Sequence, residues 1–347
     1  MNASVATPDI VAPPNINETD QLIDDWKKPV SPDVIKKLST LKTWRSLVSV
    51  IAEWAIIGSI ITVSWQLWSV HIAAGIVGYI AAVILIGSRQ HALAIMMHEA
   101  AHYRISTNRF WNELIGQLGA AWPLMIDVRY YRQLHFSHHR APNTDDDPDW
   151  ELRETGDWSF PKTRTGIFLL FLGDALGLRF LDQLKFFGRY TYQPNYPFGG
   201  WDIGKIVCNL AFFIGMSFLF GTKFWQIYLM YWSVPVLTWL KVVLRFRTIA
   251  EHYALEYDHI YRDTRTTYPS WWEKILFAPN NINYHLEHHL YPSVPFYNLP
   301  RLHQQLLENE EFRNNAHLTK TYMGVIRECL NCETVTREEV AAKSTDT

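Results

Sequence analysis

Two pairs of long apolar stretches decide what this chain can fold into. Residues 46–68 carry one acid, Glu53, and residues 72–88 follow after only Ser69, Val70 and His71. The second stretch continues through a few polar residues into ALAIMM. A helix that crosses a membrane needs about 20 mostly apolar residues; both stretches qualify, and the short link makes them a hairpin. Residues 205–220 and 224–244 repeat the arrangement around Gly221-Thr222-Lys223. Between the hairpins, residues 114–126 and 167–180 are apolar but short and broken by Gly, Pro, Asp or Arg, which predicts interfacial or re-entrant helices. The competing reading is that all these runs are core helices of a soluble protein, and a mean hydropathy of −0.09 leans that way. Large polar segments dilute that average, however, and four spans are a minority of 347 residues.

Charge orients the hairpins. Lys27, Lys28, Lys36, Lys37, Lys42 and Arg45 precede the first stretch, Arg104 and Arg109 follow the second, and Lys241, Arg245 and Arg247 close the fourth, whereas the links carry only Lys223. Cytoplasmic flanks are enriched in Lys and Arg, so both termini are expected in the cytoplasm. A net charge of −2 supplies no basic field for nucleic acid. The first twenty residues lack the basic start and apolar core of an export signal, and they and the polar segment from about residue 333 are expected to be loosely ordered. Three divisions are expected: a lead, 1–40; a membrane domain, 41–310; and a C-terminal cytoplasmic tail, 311–347. Cys208, Cys329 and Cys332 are too few for a disulfide framework, and the lone C-x-x-C lacks the two further ligands of a structural zinc site.

Histidine supplies the chemistry. Eight of the fourteen fall in three tight groups: His98 and His102 in H-E-A-A-H; His135, His138 and His139 in H-F-S-H-H; His285, His288 and His289 in H-L-E-H-H. Imidazole is the commonest protein ligand for transition metals, and residues three and four apart share a helix face. Every group lies outside a hairpin link, so one cytoplasmic site can collect them all. H-E-A-A-H also matches the zinc protease motif, with Glu99 as general base. Zinc takes only four ligands, which leaves the later groups unused. Eight imidazoles suit two metals; an all-nitrogen set excludes Mg²⁺ and Ca²⁺ and leaves iron, copper or zinc. Hydrolytic metal pairs generally carry bridging carboxylates, so a histidine-only set at a membrane face favours iron and O₂.

These three motifs, in this order and interrupted by an apolar hairpin, resemble the histidine boxes of the membrane fatty acid desaturase and hydroxylase superfamily over about residues 46–305. The resemblance implies an all-α membrane fold: about four transmembrane helices in two hairpins, interfacial helices, and a cytoplasmic helical cap holding two iron ions. It also implies a ninth ligand near the end of the fourth span, which falls on His252. Thr248 stands where some relatives have an asparagine, so the asparagine's role is not carried over. The three-residue gap in the first box points toward bacterial, plant and front-end types and toward carotenoid ketolases.

Ligating histidines usually pass their second N–H to a carboxylate or carbonyl. Glu99, Glu251 and Glu287 within the motifs, and Asp145, Asp146, Asp147 and Asp149 after the second, are the candidates; the aspartates also suit a plain acidic turn. His71, His91, His259, His303 and His317 are expected not to be ligands. The implied reaction is O₂-dependent insertion of a double bond into an acyl chain, carried as a lipid or acyl thioester in an apolar channel. It needs two external electrons, and the sequence has no flavin, nicotinamide or haem-binding motif, so ferredoxin or cytochrome b5 is implied as donor. Residues 225–239 and 271–277 are aromatic-rich and suit either channel lining or interfacial anchors. Hydroxylation or ketolation of a lipid or carotenoid needs no different ligand set, and a non-enzymatic metal-binding membrane protein would also keep the histidines.

Overall fold

The computed structural model describes residues 29–144, 146–151, 156–193 and 196–333. The expected loose lead before residue 29, the segment after 333 and Asp145 fall outside them. In chain order the helices are α1 (Pro32–Leu38), α2 (Thr43–Val70), α3 (Ile72–Ala101), α4 (Arg109–Gly116), α5 (Val128–Arg140), α6 (Pro148–Glu151), α7 (Arg164–Ala175), α8 (Phe180–Thr191) and α9 (Gly200–Phe220). There follow α10 (Thr222–Tyr228), α11 (Val234–Leu237), α12 (Trp239–His252), α13 (Trp271–Leu276), α14 (His285–Leu290), α15 (Leu299–Leu306), α16 (Glu310–Asn315) and α17 (Tyr322–Asn331). Two short strands, β1 (Thr266–Tyr268) and β2 (Leu318–Lys320), pair in parallel.

Among the described residues, α2, α3, α9 and the continuous run Thr222–His252 are long and apolar enough to cross a membrane. Their apolar windows are only 0–28% buried, which overturns the soluble-core reading: core helices would be covered by protein. Phe218 on α9 is 89% exposed, a position that suits lipid far better than water. Long apolar helices left uncovered by protein are those of an integral membrane protein.

One residue turns the first hairpin. His71 is extended (φ −166°, ψ 144°), and its Nδ1 accepts the Ala73 amide at 3.1 Å, capping α3. At about 1.5 Å per residue, the 30 residues of α3 run ~45 Å, longer than a ~30 Å hydrocarbon core. The surplus is the polar continuation beyond Ser88, nearly all of it buried by protein. Gln90 there donates to the Trp232 carbonyl (2.9 Å) in the fourth span. That span is irregular: Pro235 lacks an amide hydrogen, and a π turn over Leu229–Ser233 before it and a break at Thr238 after it absorb the mismatch.

The two weaker apolar stretches separate. Residues 167–180 fall on α7 and the turn into α8, with Phe168, Leu169, Leu176 and Leu178 exposed as an interfacial element requires. Residues 114–126 instead form a π turn and a 3-10 turn whose Gln117, Ala120, Ala121 and Trp122 are buried.

At the end of the spans opposite the hairpin links sits the cap. Two successive asparagines in left-handed backbone, Asn280 (φ 53°) and Asn281 (φ 56°), reverse the chain into α14; asparagine tolerates that conformation better than most residues. Their side chains bond to Ser49 Oγ (2.9 Å) and the Phe296 carbonyl (3.1 Å). Within the terminal division beginning at residue 311, the described part is packed: β2 pairs with β1, and Val325 and Cys329 of α17 share a core with Phe246 and Ile249 of α12. All three cysteines are free.

Candidate metal centre

Helix geometry sorts the histidines. On α5, His135 and His139 are four apart and join one group, while His138, three from His135, joins another; on α14, His285 and His289 share a group and His288 crosses to the other. Among the described residues the groups are His98, His102, His135, His139 and His288, and His138, His252, His285 and His289, with the ring nitrogens of each group within 4.8 Å of one another. All nine histidines expected from sequence and resemblance are thus together, and His71, His91, His259, His303 and His317 are in neither group. His252 arrives at the last residue of α12 and His98 at the end of α3, so one end of the two hairpins presents both.

The nitrogens converge on points rather than pairing. His135 Nε2 lies 2.8 Å from His102 Nε2 and 3.1 Å from His139 Nε2, and His139 Nε2 lies 3.0 Å from His288 Nε2. In the other group His285 Nε2 is 2.9 Å from His252 Nε2. The Nε2 atoms of His98 and His289 are buried without a hydrogen-bond partner among the described residues. One ring nitrogen carries a single hydrogen or a single lone pair, so three meeting at one point are not satisfied by each other; a cation satisfies them all. Bonds of about 2.1 Å at right angles separate neighbouring nitrogens by about 3.0 Å, which is the spacing present. Burial first, and the facing imidazoles second, push His102, His135, His139, His285, His288 and His289 well below the ordinary histidine range. Their lone pairs are therefore free for a metal at neutral pH. The groups adjoin: the rings of His139 and His289 stack at 4.2 Å.

The carboxylates divide unevenly. Asp147 Oδ2 lies 2.8 Å from His138 Nδ1 and also accepts the Asn143 amide (3.0 Å). The buried carboxylate thus belongs to Asp147, whereas Asp146 is exposed. Glu251 Oε1 is 3.5 Å from His285 Nδ1 and is itself held by Arg247 Nε at 2.7 Å. Glu99 Oε2 accepts the Phe296 amide (2.9 Å), and its other oxygen is 3.7 Å from His98 Nδ1. Tied to a backbone amide, Glu99 is engaged in structure rather than free to act as a protease base. Glu287 turns to His303 Nδ1 and Thr266 Oγ1, each at 2.5 Å, fastening α14 to α15 and β1. Sequence reasoning missed Tyr131, whose ring stacks on His135 at 5.0 Å, and Arg247. Each lies four residues before a named candidate on the same helix, the one signal that pointed to them.

A cavity of about 360 Å³ opens against His135, His138, His252 and His285, between α5, α8 and α12. Met97, Leu124, Phe187, Leu240 and Leu244 form its apolar wall. Of the aromatic stretches expected as lining or anchors, neither supplies the cavity's aromatic wall, which comes from Phe186, Phe187 and Tyr190 of α8 with Tyr131 and Trp158; Trp271 and Trp272 are exposed on α13.

The family model for fatty acid desaturases matches residues 72–320. Dihydrorhizobitoxine desaturase of Bradyrhizobium elkanii is 28% identical over 285 residues, 77% of this chain and 77% of that one. The sn-1 oleoyl-lipid 12-desaturase of Anabaena variabilis is 25% identical over 72% of this chain and 75% of its own. The sn-1 acyl-lipid omega-3 desaturase (ferredoxin) of Nostoc sp. (strain 36) is 24% identical over 61% of this chain and 63% of its own.

Proposed function

The chain belongs to the fatty acid desaturase family, and from that premise we propose that it introduces a carbon–carbon double bond into an acyl chain, with two iron ions, O₂ and two external electrons. The observation that carries this reading is the pair of all-histidine groups, five and four residues strong, with no carboxylate among the converging atoms of the described residues. When bound, the iron pair supplies activation of O₂ and removal of hydrogen from unactivated carbon. The balance is one O₂, two electrons and two protons taken up for each pair of hydrogens removed from neighbouring carbons, with two waters released.

The protein's part is placement. His98, His102, His135, His139 and His288 would hold one ion, and His138, His252, His285 and His289 the other. Asp147 would fix which ring nitrogen of His138 faces the metal, because the opposite nitrogen bonds the carboxylate, and Glu251 stands 3.5 Å from the outer nitrogen of His285. The apolar cavity wall brings a methylene segment up to the histidines and excludes water from it. Ferredoxin, named for one relative, or cytochrome b5 would supply the electrons, and a lipid or acyl thioester the chain. The cation pattern flanking the spans supports a topology with both termini and the metal centre on the cytoplasmic side.

Mass spectrometry of lipids and acyl thioesters from cells expressing the chain tests this. Loss of two hydrogens from an acyl species is expected; gain of one oxygen would make it a hydroxylase, and no acyl change with one zinc per chain would sink the reading. Removing only a charge is a finer probe. Asp147→Asn keeps the shape beside His138 and is expected to weaken iron retention on dialysis about 10–100-fold. Unchanged iron retention would confine Asp147 to closing its turn.

A further inference from the structure

The part of the cavity wall formed by Gln183, Lys241 and Arg245 is rich in hydrogen-bond donors. Gln183 on α8 is 1% exposed and Arg245 on α12 is 3% exposed, and both line the cavity. The Gln183 amide nitrogen and Arg245 Nη1 have no hydrogen-bond partner among the described residues. Arg245 is anchored from behind: Asp174 takes its Nε, and Asp157 lies 3.4 Å from its Nη2. Lys241, four residues earlier and so on the same face of α12, adds a second cation to the lining. The carboxylates of this cavity are mostly engaged, Asp157 also with Arg179, Glu251 with Arg247, Asp149 with Tyr190, while Asp182 sits exposed at the rim. A buried donor left unpaired is destabilising. Two in one wall call for an oxygen acceptor from a ligand.

Helix spacing separates this wall from the histidines along the helix axis. Arg245 is seven residues before His252 on α12, and Gln183 is seven before Tyr190, which bears on the His135-stacked Tyr131. At 1.5 Å per residue each interval is about 10 Å. We propose that Gln183, Lys241 and Arg245 form a receptor for the oxygen-bearing head of the substrate, a carboxylate or an acyl carbonyl, and that this receptor sets the reacting carbons about 10 Å from that head. The inference rests on the acyl-substrate reading and gives that substrate an orientation: head at α8 and α12, reacting carbons at the histidines.

Binding of radiolabelled palmitate, methyl palmitate and hexadecane to the full chain, purified in detergent, tests the receptor without turnover. The wild type is expected to bind palmitate or its methyl ester more tightly than hexadecane. Gln183→Glu, nearly isosteric, sets a carboxylate against the head and is expected to weaken palmitate binding about tenfold or more while hexadecane binding stays put. Unchanged hexadecane binding certifies that the variant is folded. Lys241→Met separates the two sources: loss with palmitate alone marks a free carboxylate, equal loss with the methyl ester an acyl carbonyl. Equal affinity of the wild type for all three probes, or equal loss of palmitate and hexadecane in Gln183→Glu, overturns the receptor. Because binding is read directly, a failed desaturation assay does not mimic a failed receptor.

Discussion

Replacing His138 by alanine is expected to cut product formation about a thousandfold, because metal assistance is worth several kcal/mol and each ~1.4 kcal/mol is tenfold in rate. His138 belongs to the smaller group, so its loss leaves three nitrogens, those of His252, His285 and His289. It also takes the imidazole partner from the buried Asp147 carboxylate. Iron content should fall from two toward one per chain while the protein remains in the membrane. His259→Ala is the matched control: His259 bonds the Tyr261 amide at the edge of the cap and stands in neither group. Full activity and two irons per chain in His138→Ala would remove the histidine groups from the mechanism.

The second large effect is expected at Arg132, which no chemistry-seeking reading of the sequence selects. Its Nε donates to the Ala101 carbonyl at 2.8 Å and its Nη2 to the Ala100 carbonyl at 3.0 Å and to buried Glu113. Its guanidinium also sits 4.0 Å over the Tyr103 ring. One side chain of α5 therefore closes the last turn of α3 just where His98 and His102 project. Arg132→Met leaves two helix-end carbonyls and a carboxylate buried without their cation, a loss of about 3–5 kcal/mol. The apparent melting temperature in detergent is expected to fall by about 4–7 °C. Adding Glu113→Gln should restore part of it by removing the stranded charge. A melting curve within a degree of the wild type would refute the assignment.

How far the sequence alone reaches varies with how local the cause is. The spans are written in runs of apolar residues, so their positions were readable; the extension of α3 past Ser88 was not, because Arg89, Gln90 and His91 look like an exit from the membrane but are covered by the fourth span and the cap. Three- and four-residue spacing put the histidines on shared faces but left their division into two groups open. Which aspartate meets His138 depends on the turn after α5, a property of backbone path rather than of composition. The pairing of β1 with β2 joins residues about fifty apart, and the receptor wall joins α8 to α12; neither leaves a local trace.

The adjacency of His138 with His139, and of His288 with His289, has a consequence for assembly. Each pair is rigidly joined on one helix and sends one imidazole to each group. An ion entering either group would fix α5 and α14 together and so pre-position three imidazoles of the other. The ordering cost is met once for two ions, which makes the second bind more tightly than the first. Iron titration of the metal-free protein should accordingly give a sigmoidal curve, with little of the one-iron species at half saturation.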